Sequence, residues 1–235
     1  MTGEARVWAL IPAAGVGRRV GAPIPKQYLD LAGRRVIDHS LSVFVKHPAI
    51  AGIVVALDPN DEQWLDTEFA RHPAVRRCNG GAERCHSVLN ALDALPEYAA
   101  EQDWVLVHDA ARPCLRRADL DRLLEVAQVD PVGGILAVPV RDTMKRADRS
   151  GHIAGTESRD GLWHAYTPQM FRLGLLRRVL SQAIERDLLV TDDASAVELA
   201  GLAPLLVEGH ADNIKITRPE DLPLALFYLQ QQRRL

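Results

Sequence analysis

The chain has 235 residues, which we predict to fold as one α/β domain over residues 1–235, and its formal net charge of −3 with no basic run argues against nucleic acid as a partner. Its three cysteines lack a Cys-x-x-Cys pair, which argues against a disulfide framework and a zinc site and favours a reducing, cytoplasmic location. All apolar runs are shorter than the roughly 20 residues of a membrane helix, so we expect no membrane as a partner.

The first predicted strand, Val7–Ile11, runs directly into a loop of small residues. Alanine and glycine leave room for backbone N–H groups to approach an anion, as they do in phosphate-binding loops. Cations follow at Arg18, Arg19 and Lys26, the last of them after prolines that stiffen the chain. We therefore predict a triphosphate site whose loop contacts are Pro12, Ala13, Ala14, Gly15 and Gly17.

Two familiar phosphate-binding motifs do not fit this loop. The dinucleotide fingerprint G-x-G-x-x-G needs a glycine where this chain has Val20, and the Gly-Lys-Ser/Thr of the P-loop is absent. From the loop alone, a turn that merely joins a strand to a helix stays open as the alternative. The Pro25-Lys26-Gln27-Tyr28 segment that follows weakens that alternative.

The rest of the chain alternates short apolar runs with amphipathic segments. Further strands are predicted at Ile50–Leu57, Val75–Cys78, Trp104–His108, Gly134–Val140 and Leu205–Glu208. Helices are predicted at Val36–Lys46, from a cap at Asp58-Pro59-Asn60 through Phe69, and at Glu83–Leu95, Ala118–Val129, Leu173–Glu185, Thr191–Gly201 and Asp221–Gln232. This order predicts an α/β fold with a doubly wound, mostly parallel sheet, in which ligands bind beyond the carboxyl ends of the strands.

The loops after two later strands supply more candidate site residues. Gly81 and Ala82 leave room for a flat base against the backbone, and Ser87 is placed to donate to the base or ribose. Asp109 follows a strand end, where a carboxylate can position Mg²⁺ or a ribose, and Arg112 can meet a phosphate. A plain turn and a helix cap explain the same residues one at a time, but three such loops together favour a ligand site.

Residues 141–166 lack helical periodicity and carry turn signals. We predict an extended β-hairpin arm with little core of its own, which would pack on a second subunit and make the protein a homodimer. Apolar and polar residues alternate around Lys215, which predicts a further strand end there, although a lone lysine is ordinarily solvated.

Eight blocks in order resemble the 2-C-methyl-D-erythritol 4-phosphate cytidylyltransferase family, and the resemblance covers nearly the whole chain. They are Ala13-Ala14-Gly15-x-Gly17-x-Arg19, Pro25-Lys26-Gln27-Tyr28, Gly80-Gly81-Ala82-Glu83-Arg84-x-x-Ser87-Val88, Val107-His108-Asp109-Ala110-Ala111-Arg112-Pro113, Asp142-Thr143-Met144-Lys145, Arg159-x-Gly161-Leu162-Trp163-x-Ala165-x-Thr167-Pro168-Gln169, Thr191-Asp192-Asp193-Ala194-Ser195 and Asn213-Ile214-Lys215-Ile216-Thr217. Cys85 and His86 lie where the family pattern is permissive.

The resemblance implies a Rossmann-like nucleotidyltransferase fold and a Mg²⁺-dependent reaction of CTP with methylerythritol 4-phosphate. It implies that Arg19 and Lys26 stabilise charge at the α-phosphate and that Lys215 positions the incoming phosphate. Arg159 would act on the substrate phosphate from the partner subunit's arm. The nucleotide contacts would include Ala110, the metal contact would be Asp109, and the substrate contacts would be Asp109, Arg112, Arg159, Thr167, Thr191 and Lys215.

Two alternatives stay open. A cytidylyltransferase for another polyol phosphate, such as ribitol 5-phosphate, would share the first loop and the two middle loops, and the arm block from Arg159 to Gln169 favours methylerythritol. A nucleotide-binding regulator on the same fold would not need Arg19, Lys26 and Lys215 together around the α-phosphate.

Overall fold

The computed structural model describes residues 5–15 and 24–235. Within these ranges the strands, in chain order, are β1 (Val7–Pro12), β2 (Asp30–Leu31), β3 (Arg34–Arg35), β4 (Ile50–Leu57), β5 (Val75–Asn79), β6 (Trp104–Val107), β7 (Gly133–Pro139), β8 (Met144–Ala147), β9 (Ile153–Glu157), β10 (Trp163–Arg172) and β11 (Leu205–Glu208). The α-helices are α1 (Val36–Val45), α2 (Arg84–Asp93), α3 (Arg117–Ala127), α4 (Leu173–Glu185), α5 (Asp193–Leu199) and α6 (Asp221–Gln231). Short 3₁₀ helices cover Lys26–Tyr28 and Gln63–Asp66.

Seven of the described strands form the central sheet, in the order β11-β7-β10-β6-β1-β4-β5. The neighbours of β1, namely β4 and β6, are both parallel to it. Strand β5 pairs in parallel with β4, and β11 pairs in parallel with β7. Strand β10 lies antiparallel between β6 and β7. The prediction of a mostly parallel α/β sheet is thus confirmed. From β1 the strand order runs through β4 to β5 on one side, and the chain then adds β6 on the other side of β1. This change in strand order places a ligand crevice at the carboxyl ends of β1 and β6.

Helices cover both faces of the sheet, so the central strands are apolar on both sides. Residues of β1 alternate between the two cores: Ala9 and Ile11 pack with Ile37, Leu41 and Phe44 of α1. Trp8 and Leu10 pack on the other face, against Val88 and Leu92 of α2 and Leu176 and Leu180 of α4. Because both cores clamp β1, the loop that follows Pro12 begins from a fixed point.

The predicted helix from Asp58 through Phe69 is wrong. Only one short 3₁₀ turn, Gln63–Asp66, forms within this described stretch. The carboxylate of Asp61 accepts the backbone N–H groups of Gln63 (3.0 Å) and Trp64 (3.2 Å). Such local side-chain bonds compete with helical hydrogen bonding. Trp64 is buried and anchors the turn to the core.

The region of the predicted arm divides into two parts. Strands β8 and β9 pair only with each other among the described strands, and residues 141–150 are all exposed. Strand β10 begins inside the predicted arm at Trp163, which pairs with Pro139, and continues into the central sheet as far as Arg172. This central strand was not predicted from the sequence, because its outer half is polar and only its inner half is buried.

The predicted strand end around Lys215 is also wrong. Residues 212–217 are irregular and belong to none of the described sheets. The Ile216 N–H instead donates to the carbonyl of Ala111 over 2.8 Å, so this segment is tied to the loop after β6. Among the described residues, none of the helices has both the length and the apolar character needed to span a bilayer.

Candidate active site

Three loops that follow β1, β5 and β6 meet at the carboxyl edge of the sheet and enclose a cavity of about 200 Å³. Its lining residues are Pro12, Ala13, Ala14, Gly15, Lys26, Gln27, Gly81, Ala82, Glu83, Arg84, Ser87, Asp109, Ala110, Ala111 and Lys215. The sheet topology explains this convergence, because parallel strands present their carboxyl ends at one edge. The predicted nucleotide contacts in the described residues are thus brought together.

A buried glutamine fixes the position of Lys26. Gln27 donates through Nε2 to the carbonyls of Ala13 (2.7 Å) and Gly15 (3.3 Å), and only 4% of its surface is exposed. This bond ties the Pro25–Tyr28 turn to the small-residue loop. Lys26 is half-buried and lines the cavity beside that loop. The arrangement places Lys26 beside a loop whose small residues leave room for an anion.

Two glycines in the second loop allow close packing. A Cβ at Gly80 would lie 2.2 Å from Cβ of Ala14, so only glycine lets this loop approach the first one. A Cβ at Gly81 would lie 2.3 Å from Cβ of His86. A side chain at Gly81 would therefore strain the start of α2. Glycine at this position is needed for packing, in addition to any contact with a base.

The hydroxyl of Ser87 is engaged within its own turn. It accepts from the N–H of Gly81 (3.0 Å) and donates to the carbonyl of Glu83 (3.2 Å). Ser87 is 3% exposed, although it lines the cavity. Its hydroxyl shapes the turn that a base would meet.

Asp109 is the centre of a charge cluster. Its carboxylate lies 3.1 Å from Nε of Arg84, 2.8 Å from Nζ of Lys215 and 3.5 Å from Nε of Arg112. Arg84 also pairs with the fully buried Asp193 over 2.7 Å. Burial alone would raise the pKa of Asp109, but the charges of Arg84, Lys215 and Arg112 outweigh it and hold that pKa well below its usual range. The carboxylate is therefore ionised.

A buried histidine positions the backbone of Asp109. The hydroxyl of Thr167 accepts from the N–H of Asp109 (3.1 Å) and lies 3.0 Å from Nδ1 of His108. On the other side, Nε2 of His108 lies 3.1 Å from the carbonyl of Arg112. Burial lowers the pKa of His108 to about 4, so the ring is neutral at pH 7. A neutral ring that donates from Nε2 to this carbonyl must accept the Thr167 hydroxyl at Nδ1.

Two hydrogen bonds at Asn213, one to Arg112 and one to Thr167, anchor the segment that carries Lys215. Arg112 donates from Nη1 to the carbonyl of Asn213 (2.7 Å), and Asn213 donates from Nδ2 to the carbonyl of Thr167 (2.8 Å). Buried Asp193 Oδ1, Arg112 Nε and Asn213 Oδ1 have no protein hydrogen-bond partner among the described residues. Buried polar atoms without a partner are uncommon, and these three belong to residues of one network.

The remaining predicted residues lie outside the cavity lining or outside the described ranges. Arg112 and Thr167 are buried behind the cavity. Arg159 is exposed on the segment between β9 and β10 and donates to the carbonyl of Arg141, and Thr191 is exposed just before α5. Gly17 and Arg19 lie outside the described residues.

Several residues of this site were not predicted from the sequence. Arg84 and Asp193 each belong to a block that resembles the family, but no role was predicted for either residue. Their pairing joins α2 to α5 across 109 positions of the chain. Gln27 stood beside Lys26 in its block and was likewise given no role. The sequence signal that could have identified these three residues is a polar side chain within an otherwise apolar or glycine-rich segment.

Replacing Asp109 with asparagine should destabilise the fold by about 1–3 kcal/mol, because it removes the negative charge shared by buried Arg112 and the partly exposed Arg84 and Lys215. The folded pKa of Asp109 is depressed, so the unfolded chain takes up this proton first as the pH falls. The difference between wild type and Asp109→Asn should be full above about pH 5 and shrink below about pH 4. Urea unfolding across pH measures it. Exposed Asp66→Asn is the control, and a difference that persists unchanged at acid pH would contradict the charge argument.

Comparison with known proteins agrees with this architecture. The family model of 2-C-methyl-D-erythritol 4-phosphate cytidylyltransferase matches residues 7–231. Proteins of that name from Pseudomonas putida and Pseudomonas aeruginosa are 57% identical over 216 residues and 59% identical over 218, each alignment covering 92% of both chains.

Solved structures agree with the sequence relatives. The 2-C-methyl-D-erythritol 4-phosphate cytidylyltransferase of Francisella tularensis superposes with a TM-score of 0.84 at 38% identity, covering 96% of this chain and 100% of the other. The protein of that name from Thermus thermophilus gives 0.78 at 33% identity, covering 94% and 98%. Sequence, fold and site geometry together place the chain in the 2-C-methyl-D-erythritol 4-phosphate cytidylyltransferase family.

Proposed function

We propose that the protein transfers a cytidylyl group from CTP to 2-C-methyl-D-erythritol 4-phosphate and releases pyrophosphate, a step in isoprenoid precursor synthesis. The supporting observation is that Lys26 and Lys215 line one cavity together with the small-residue loop after β1. Family membership supplies the identity of the two substrates. The free thiols Cys78, Cys85 and Cys114 fit a reducing cytoplasm.

The cavity has distinct sides for the parts of CTP. We place the triphosphate against Pro12–Gly15 and, by resemblance, Gly17, because this side carries small residues and Lys26. The base and ribose lie against the side formed by Gly81, Ala82, Ser87 and Ala110, where the second loop and the loop after β6 meet. The phosphates would then lie beside a cation, and the flat base would lie against residues with little or no side chain.

The main barrier is repulsion between two polyanions. A phosphate oxygen of methylerythritol phosphate attacks the α-phosphorus, a new P–O bond forms, and the bond to the bridging oxygen of pyrophosphate breaks. No general base is required, because the attacking phosphate is already ionised. Lys26 and, by resemblance, Arg19 stabilise charge at the α-phosphate, and Lys215 holds the incoming phosphate beside it. The second substrate would lie near Asp109 and Arg112, with exposed Thr191 at its outer side and buried Thr167 behind Asp109, whose N–H its hydroxyl accepts.

The described residues do not form a ready Mg²⁺ site. Asp109 is a carboxylate of the cavity wall, and Arg84, Lys215 and Arg112 already surround it with positive charge. A divalent cation bound directly to Asp109 would face those three groups at close range. We propose that the phosphates of CTP would supply most ligands of a bound Mg²⁺, and that Asp109 would add no more than one further contact.

We further propose that the chain forms a homodimer through its arm, the hairpin of β8 and β9. A two-stranded ribbon is marginal by itself, and residues 141–150 are wholly exposed. Ile153 is 69% exposed and Met144 is 36% exposed, which leaves apolar surface on the hairpin. Arg159 follows β9 and does not line the cavity of its own chain. It would therefore act in the partner's site.

Pyrophosphate release tests the reaction. Purified protein with CTP and Mg²⁺ should release pyrophosphate with methylerythritol 4-phosphate and far less with ribitol 5-phosphate. The relatives' names and the arm block favour the first substrate. Equal or greater turnover of ribitol 5-phosphate would support the alternative polyol enzyme. CTP binding with no turnover of either substrate would support a nucleotide-binding regulator.

Lys26→Ala should lower kcat by on the order of 10²–10³, because it removes a preorganised cation from developing charge. Arg19→Ala should behave alike, and Lys215→Ala should act chiefly on the second substrate. Steady-state kinetics measure these effects, and circular dichroism checks the fold. Exposed Lys46→Ala is the matched control and should keep wild-type rates. Near-normal turnover of both the Lys26 and Arg19 variants would remove them from the mechanism.

If Arg159 serves the partner's site, Arg159→Ala and Lys26→Ala chains should complement each other. Random assortment makes about half of the dimers heterodimers, each with one site that has both residues intact. Co-expressed chains should therefore recover about a quarter of wild-type activity per site, although either variant alone is nearly inactive. Native mass spectrometry counts the heterodimers. No recovery in a mixture that contains them would overturn the shared-site model.

A further inference from the structure

A cluster of potential metal ligands lies at the start of α2, on residues given no part in the proposed reaction. Sγ of Cys85 lies 3.9 Å from Oε2 of Glu83 and 3.7 Å from Nδ1 of His86. One ligand atom from each of the three residues lies within 4.8 Å of the others. The absence of a Cys-x-x-Cys pair had argued against zinc, but this cluster needs only one cysteine.

The local backbone explains how Glu-x-Cys-His brings three donors together. Glu83 is the N-cap of α2 and has extended backbone angles (φ −127°, ψ 172°), whereas Cys85 and His86 lie in the first helical turn. The chain therefore bends between the carboxylate and the other two side chains. The intervening Arg84 is directed elsewhere, to Asp109 (3.1 Å) and Asp193 (2.7 Å), so its charge is committed to those carboxylates.

Two of the three donor separations are close to those around a small tetrahedral ion, and the third, between Glu83 and His86, is within 4.8 Å. With metal–sulfur bonds near 2.3 Å and metal–nitrogen bonds near 2.0 Å, two ligands of a tetrahedral zinc lie roughly 3.5 Å apart. The observed separations of 3.7 and 3.9 Å need only small side-chain adjustments to reach that value. Glu83 is exposed and His86 half-buried, which leaves a path for an ion from solvent, while Cys85 is buried beneath them.

The donor types select the class of metal. A thiolate with an imidazole and one carboxylate suits Zn²⁺ or Co²⁺, whereas Mg²⁺ and Ca²⁺ prefer oxygen ligands. A thiol coordinates a metal ion as the thiolate. Binding must therefore replace the thiol proton: the S–H bond breaks, a metal–sulfur bond forms, and one proton is released to solvent.

We propose that Glu83, Cys85 and His86 form a binding site for one thiophilic divalent cation of the zinc or cobalt type, with its fourth position open to water. The site does not depend on the proposed cytidylyl transfer. It differs in chemistry from any Mg²⁺ that enters with the nucleotide, because its donors include sulfur and nitrogen, although Glu83 also lines the cavity.

Cobalt tests the site directly, since a cobalt–thiolate bond absorbs in the near ultraviolet and an aqueous cobalt ion does not. Titration of the full-length, reduced protein with Co²⁺ in the absence of nucleotide should show this absorption and saturate at one ion per chain. Zn²⁺ should then displace the cobalt and abolish the band. A wild-type protein that shows no thiolate absorption would overturn the proposal.

Matched variants assign the ligands. Cys85→Ser should abolish the band, whereas Cys78→Ser, a half-buried thiol outside the cluster, should keep it. His86→Gln and Glu83→Gln should each weaken Co²⁺ binding by about tenfold or more, whereas His72→Gln and Glu97→Gln should not. Glu83 is exposed, so its variant should fold even where a change at buried Cys85 does not. A band that survives Cys85→Ser, or unchanged affinity in both the Glu83 and His86 variants, would refute the site.

Discussion

The charge cluster around Asp109 is the interaction on which the candidate site depends. One buried carboxylate contacts Arg84 from α2, Lys215 from the segment before α6, and Arg112 from its own loop. Each cation comes from a different part of the chain, so the cluster joins these parts, together with the hydrogen bonds of Ile216, Arg112 and Asn213. Burial makes the contacts strong, because removing one partner would leave uncompensated charge in a poorly solvated region. A site for polyanions is thus assembled around a negative charge.

The sheet explains why these parts can meet. Strands β1, β4, β5 and β6 are parallel, and their following loops all emerge at one edge. Close approach of the loops then requires small residues at the contact, which Gly80 and Ala14 provide. A hydrogen bond donated by Gln27, and one that the Thr167 hydroxyl accepts from the Asp109 N–H, hold the loops in place. Fold and site therefore rest on the same few backbone positions.

Much of this was predictable from sequence where the signal is local. The apolar run Val7–Ile11, the parallel α/β alternation and the small-residue loops followed from patterns within about ten residues. The misses have two physical causes, side-chain hydrogen bonds that interrupt a helix and contacts between distant residues. Asp61 diverts the chain after β4 into a turn by side-chain bonds, and the segment before α6 is held by the Ala111 carbonyl instead of a sheet partner. Strand β10 and the Arg84–Asp193 pair depend on residues far apart in the chain, which no local pattern records.

The side-chain exposure of the three cations around Asp109 decides which of them can bind a substrate phosphate. The side chain of Lys215 is 38% exposed, that of Arg84 is 27% exposed and that of Arg112 is 10% exposed. Arg84 has a second carboxylate in Asp193, and Arg112 donates to the Asn213 carbonyl, so both are held independently of Asp109. Lys215 also has the flexible stem and compact ammonium that suit a change of partner. In the proposed reaction an arriving phosphate therefore competes with Asp109 for Lys215 alone, while the two arginines keep the carboxylate paired and the loop in place.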